Sequence, residues 1–321
     1  MSELNALPPA FIAIVALGFG LAIGSFLNVV IYRLPRGESI VRPGSRCPGC
    51  GVALSAWDNV PVLSYLCLRG RCRRCGSKIS LRYPVVELFT GLVFAAIAWQ
   101  HGATPMTPVW CVFAAALIAA SVIDIDHRII PDEISVGGLV VALVAVPAVE
   151  SLSGTPIVDA LLRSGLGALV GGGVLWVVGF AHARLSCAMG RRFEHWPGPG
   201  EEIPKPSSLD YWVWFPGVGF GDVKLLAMIG AVLGPIGVIE TILAASLMGL
   251  VLGVGWALAT RKWNAPFGFG PAIAAGALLV VLLPGGLFFP DLSAGRRCGS
   301  PGRIRTSIDR LRARPAGQKN A

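Results

Sequence analysis

Charged side chains are scarce in this sequence. Asp, Glu, Lys and Arg together make up 14 % of the 321 residues, against 54 % apolar residues. With a mean hydropathy of +0.68, that balance excludes an ordinary water-soluble domain. Other absences narrow the class further. No basic segment precedes the first apolar run, which extends from about Pro9 to Ile31; this argues against a cleaved secretory signal and for a retained helix. No internal repeat is visible. The glycine-rich run from Gly165 to Gly173 follows no strand and sits within an apolar stretch, which excludes a nucleotide-binding loop and favours helices in close contact.

What is present is a series of apolar runs long enough to cross a bilayer as helices. Eight can be drawn, at roughly 10–32, 84–100, 107–123, 134–150, 161–181, 217–234, 236–259 and 268–290. Only Gly234-Pro235 separates the sixth from the seventh, so those two also read as one broken helix. The expected fold is all-α, a polytopic membrane protein of about eight spans with a small zinc-ribbon-like insertion facing the cytoplasm. The expected organisation is a first membrane helix over 1–32, a four-cysteine module over 33–83, a membrane-embedded domain over 84–290 and a basic tail over 291–321. In a soluble chain the net charge of +9 would suggest nucleic acid. Here the positive-inside rule is the cheaper explanation, leaving the lipid bilayer as the partner and no nucleic acid. Ten Lys and Arg residues lie between 33 and 83, which puts that segment in the cytoplasm. The tail, with eight more, departs from the pattern and has a composition that favours disorder.

Cys47-Pro-Gly-Cys50 and Cys72-Arg-Arg-Cys75 form two C-x2-C pairs. Four thiolates so spaced suit one tetrahedral zinc ion, with Gly51 and Gly76 at the tight turns. The alternative is two disulfides, which a cytoplasmic location disfavours. A zinc ion with four cysteine ligands has no open position, so it is structural and the chemistry must lie elsewhere.

Carboxylates at the ends of apolar runs supply a candidate. Asp124, Asp126, Asp132 and Glu133 follow the third run, and Gly219-Phe-Gly-Asp222-Val-Lys224 opens the sixth. Ionisable groups at such depth are costly and tend to be functional. Two neighbouring carboxyl groups share a proton, so one can deprotonate water while the other donates to a carbonyl. The competing reading is that such residues cap helices or face water, which fits Asp132 well. Asp126, two residues from Asp124, falls on another helix face. His127 reads as a solvated boundary residue, and Lys224 as a partner for a carboxylate.

These motifs together resemble the bacterial type IV prepilin peptidases. The resemblance spans roughly residues 15–285. It rests on Gly24-SFLNVVIYRLP, the cysteine module, DNVPVLSYLCLRGRCRRC from Asp58, SLRYPVVE at 80–87, D-x-D-x-x-x-x-P-D at 124–132 and GFGDVK at 219–224. It implies a bifunctional inner-membrane enzyme with prepilins or pseudopilins as substrates. Such an enzyme removes a short basic leader after a glycine at the cytoplasmic face, then methylates the new N-terminus with S-adenosylmethionine. It further implies Asp124 and Asp222 as the catalytic pair and Cys47, Cys50, Cys72 and Cys75 as metal ligands, and leaves the methyl-donor residues unassigned. Alternatives are a zinc-bearing, non-catalytic membrane assembly factor or a peptidase that lacks methylation.

Overall fold

The computed structural model describes residues 7–189, 205–213, 219–261, 268–283 and 285–289. The basic tail over 291–321, and Arg191, Arg192 and Lys262 of the basic loops, lie outside the described residues. Among the described residues nine α-helices follow in order: α1 (Pro9–Arg33), α2 (Leu63–Cys67), α3 (Arg82–His101), α4 (Met106–His127), α5 (Asp132–Leu152), α6 (Ile157–Ala188), α7 (Asp210–Val213), α8 (Phe220–Thr260) and α9 (Gly270–Leu282). Among the described residues no strand forms, only two isolated antiparallel bridges in the cysteine module. The all-α membrane fold expected from composition is what forms.

Among the described residues six helices are long and apolar enough to cross a membrane, namely α1, α3, α4, α5, α6 and α8, and α9 is a shorter apolar helix. The difference from eight separate spans has a local cause. The sixth and seventh expected spans run together as α8, which breaks at Gly234, where φ is +75°. Pro235 follows and cannot supply the amide that would continue the ladder. The break is a reversal. A Cβ built on Gly171 of α6 would lie 2.1 Å from the Leu226 carbonyl oxygen and 2.9 Å from the Val238 side chain. Those two residues would stand about 18 Å apart on a straight helix. The two arms of α8 therefore both pass Gly171, so the eighth, seventh and sixth apolar runs remain three distinct helical segments.

Small residues set the helix contacts, as the glycine-rich run of α6 leads one to expect. Without water to drive association, helices in lipid are held by close packing and by hydrogen bonds between them. Gly167 of α6 faces Gly230 of α8 so closely that a Cβ on either would lie 1.9 Å from the other's carbonyl oxygen. Beside this contact Ser164 donates to the Ala231 carbonyl at 2.8 Å, and Arg163 pairs with Glu150 at 2.9 Å while donating to the Val232 carbonyl. Gly20 and Gly24 of α1 meet Gly91, Thr90 and Glu87 of α3 in the same manner. The core sits around α4 and α9, where Ala114, Leu117, Ile123, Ile273 and Ala277 are fully buried.

Between α1 and α3 lies the cysteine module. It is tied to the membrane part by Glu87 of α3, whose Oε2 accepts the Val62 amide at 2.7 Å.

Candidate functional site

Asp124 lies in the last turn of α4, whose end is fixed by Arg128 in the left-handed conformation, its amide donating to the Asp124 carbonyl. Asp222 lies in the first turn of α8, with Gly219 as N-cap. The Asp222 carboxyl folds back over that cap, 3.3 Å from where a Gly219 Cβ would stand, so it sits at the positive end of the helix dipole. Gly221 lets the α8 start close on Ile130 of the α4–α5 turn, 3.2 Å from its own would-be Cβ. The two carboxyl groups, 98 residues apart in sequence, are thereby brought close enough to interact electrostatically.

The other acidic residues of the cluster are arranged differently. Asp126 turns away and pairs with Arg82 at the start of α3, and Asp132 pairs with Lys224. Asp132 was the expected helix cap; α5 instead starts from Pro131 with no side-chain cap, and Lys224 draws the Asp132 carboxylate across to α8. His127 is exposed, as a boundary residue should be. Among the described residues neither Asp124 nor Asp222 has a basic partner within ion-pair distance. Asp124 is buried, at 6 % exposure, and its Oδ2 has no hydrogen-bond partner among those residues. The neutralised members of the cluster are thus separated from two that stay chemically available.

Sequence reasoning missed one wall of this site. The backbone of Gly268 and Gly270, at the start of α9, lies directly against the Asp124 carboxyl. A signal was there to find: Gly-Phe-Gly occurs at 219–221 and again at 268–270, each time where an apolar helix begins.

In the cysteine module the C-x2-C pairs form two matching knuckles. Gly51 and Gly76 take φ of +69° and +71°, and their amides close the turns onto the Cys47 and Cys72 carbonyls at 2.8 and 2.9 Å. Glycine is the residue that enters this region without strain. The four sulfurs all lie within 4.8 Å of one another, and no disulfide joins them. Cys47 and Cys75 Sγ are 3.8 Å apart, close to the edge of about 3.8 Å that a tetrahedron of 2.3 Å metal–sulfur bonds requires. Ser77, which the spacing did not flag, lies 3.6 and 3.1 Å from the same two sulfurs. Its hydroxyl is the main reason the Cys47 thiol is lowered to about 6, and it lowers that of Cys75 as well. This cluster can hold a metal ion.

A cavity of about 460 Å³ opens between the C-terminal half of α1 and the loop over 40–45, with Phe26, Arg33 and Asn59 in its lining.

Known proteins share these features. Residues 19–101 match the bacterial peptidase A24 N-terminal domain, and residues 111–254 match the type IV leader peptidase family. A prepilin leader peptidase/N-methyltransferase of Neisseria gonorrhoeae is 32 % identical over 306 residues, covering 87 % of this chain and 93 % of that protein. One from Pseudomonas putida is 33 % identical over 303 residues, covering 86 % and 92 %. One from Myxococcus xanthus is 37 % identical over 243 residues, covering 76 % of this chain and 62 % of its own. No solved structure gives a significant match. With likeness of this degree over nearly the whole of both chains, and with both halves of the molecule matched, this chain belongs to the type IV leader peptidase family.

Proposed function

We propose that this chain is a prepilin leader peptidase and N-methyltransferase, as its relatives are named, with Asp124 and Asp222 as the catalytic pair. The observation that carries the pairing is the approach of two carboxyl groups from the end of α4 and the start of α8, both without an ion-pair partner among the described residues, while Asp126 and Asp132 are neutralised. Two such groups hold one proton between them. The ionised member takes a proton from water as the water oxygen adds to the scissile carbonyl carbon. The protonated member donates to the carbonyl oxygen. Collapse of the tetrahedral intermediate then breaks the C–N bond, and the proton passes to the leaving amine. Burial of Asp124 against α9 keeps bulk water from competing for these hydrogen bonds.

The substrate reading follows from the same placement. A prepilin carries a basic leader followed by an apolar helix. That helix would lie among the spans, with the leader in the cytoplasm and the bond after the glycine level with the pair. Ten basic residues between 33 and 83 support a cytoplasmic face of the inner membrane for both the module and the pair. For the module, four sulfurs within 4.8 Å of one another favour a structural zinc ion held by Cys47, Cys50, Cys72 and Cys75. Methylation draws on S-adenosylmethionine, which supplies an activated methyl group when bound. The cavity beside α1 has room for a donor of that size, and Arg33 is suited to its carboxylate.

The test is leader cleavage in membranes that contain Asp124→Asn or Asp222→Asn at wild-type protein level. Asn keeps the shape and cannot pass a proton, so each variant should be inactive, and the double variant little worse than either alone. Near-normal cleavage by either one rules out the pair.

A further inference from the structure

The structure assigns Gly268 and Gly270 to the peptidase site as positioning residues that hold the Asp124 carboxyl in place and keep clear the space before it. This inference rests on Asp124 being one half of the catalytic pair.

Among the described residues, Asp124 Oδ2 is buried without a hydrogen bond, a costly arrangement in a finished fold and one that calls for an explanation. A group that must receive water or a substrate carbonyl has one, since its partner arrives with the reaction.

The surroundings of this oxygen are backbone. A Cβ on Gly268 would stand 2.6 Å from Oδ2, and one on Gly270 would stand 2.7 Å from it. Real Cβ atoms essentially never approach so near, so any side chain at either position must displace the carboxyl. The contrast with Gly221 is instructive, because its Cβ would meet the Ile130 side chain at 3.2 Å, a contact that a small shift relieves.

Conformation does not account for these glycines. Neither adopts a positive φ, so an L-residue could take the same backbone. Their absent side chains are required for space alone. Gly270 makes a second contribution, because it opens α9 and so brings the start of that helix against the Asp124 carboxyl. Amides of a helix's first turn have no partner within the helix and favour an anion. The carboxyl is thus held from one side and given room on the other.

Alanine at 268 or 270 would push the carboxyl aside by roughly an ångström, a misplacement that can cost about 10²-fold in rate. The experiment uses the full-length protein in membranes, with Gly268→Ala, Gly270→Ala and, as control, Gly253→Ala, whose Cβ meets nothing within 4 Å. Cleavage of a purified prepilin is read as kcat and KM across pH, alongside methylation of a pre-cleaved prepilin by the same samples. The expected result is a kcat lower by about 10²-fold in both site variants, with KM little changed and a displaced pH profile. Methylation and protein level should stay at the Gly253→Ala level.

Two outcomes overturn the inference. One is wild-type kcat and pH profile in both variants. The other is a parallel loss of cleavage, methylation and protein level, which would make these glycines folding residues only. Asp124→Asn in the same assay separates the two layers. If it still cleaves, the catalytic pair itself is wrong; if it is inactive while both glycine variants cleave normally, only the positioning role fails.

Discussion

Gly167→Ala at the crossing of α6 and α8 should be among the most damaging single-methyl additions in the chain. The added Cβ would lie 1.9 Å from the Gly230 carbonyl oxygen, so the helices must part by about 1.5 Å to restore an ordinary contact. Both flanking atoms are backbone, and neither can rotate away. Forcing a methyl group into a packed site costs about 1–3 kcal/mol. Parting the helices also stretches the Ser164 bond to Ala231 and the Arg163 bond to Val232, each worth roughly 0.6 kcal/mol in a membrane protein. The sum is about 2–4 kcal/mol. The same helix supplies internal controls. Gly171→Ala should be comparable, with the Leu226 oxygen at 2.1 Å. Gly172→Ala should be mild, with the Ala227 Cβ at 3.2 Å. Gly165→Ala and Gly173→Ala meet nothing within 4 Å and should be neutral or slightly stabilising through better helix propensity. Thermal unfolding of the detergent-solubilised variants reads the series. Cleavage should follow it, because Gly230 and Asp222 share one arm of α8. An equal response at all five positions would refute the packing argument.

Three further outcomes follow from the site. Stripping metal with a chelator, or Cys47→Ser, should expose residues 45–79 to limited proteolysis while the membrane helices stay protected, and metal analysis of the untreated protein should give about one zinc per chain. Asp126→Asn should lower cleavage by no more than about threefold, the scale of a partly exposed ion pair, because its side chain is engaged with Arg82; loss as complete as that of Asp124→Asn would show that Asp126 belongs to the pair. A reporter inserted near Trp57 should give a cytoplasmic signal, and a periplasmic one would reverse the orientation argued from the basic residues.

How much of this was legible in the sequence depended on whether the cause was local. The apolar runs became helices because length and hydropathy are local properties. The knuckles followed from Gly51 and Gly76, whose positive φ the C-x2-C spacing already demands. The different fates of Asp124 and Asp126 followed from helical geometry, since α4 continues to His127 and points the two residues apart. Contacts between distant segments were not legible. Nothing near Asp124 announces Gly268 or Gly270, more than 140 residues away. Glu240, fully buried in the second arm of α8, reads as an anomaly until its Oε1 is seen to accept the amides of Leu287 and Phe289 beyond α9. The reversal at Gly234 stood in the sequence as Gly-Pro, yet only the shared contact at Gly171 shows that the chain turns back rather than bends.

The packing of α1 directly on α3 bears on how such a chain can change over generations. Gly20 and Gly24 against Gly91 and Glu87 bring the two helices together without help from the residues between them. The 48 residues from Leu34 to Leu81 depart from the end of α1 and return to the start of α3 beside it. Closing a longer or shorter excursion there alters the entropy only slowly. The cysteine module can therefore grow, shrink or be exchanged in evolution with little strain on the helices that carry the aspartates, provided the buried carboxylate of Glu87 finds another donor in place of the Val62 amide.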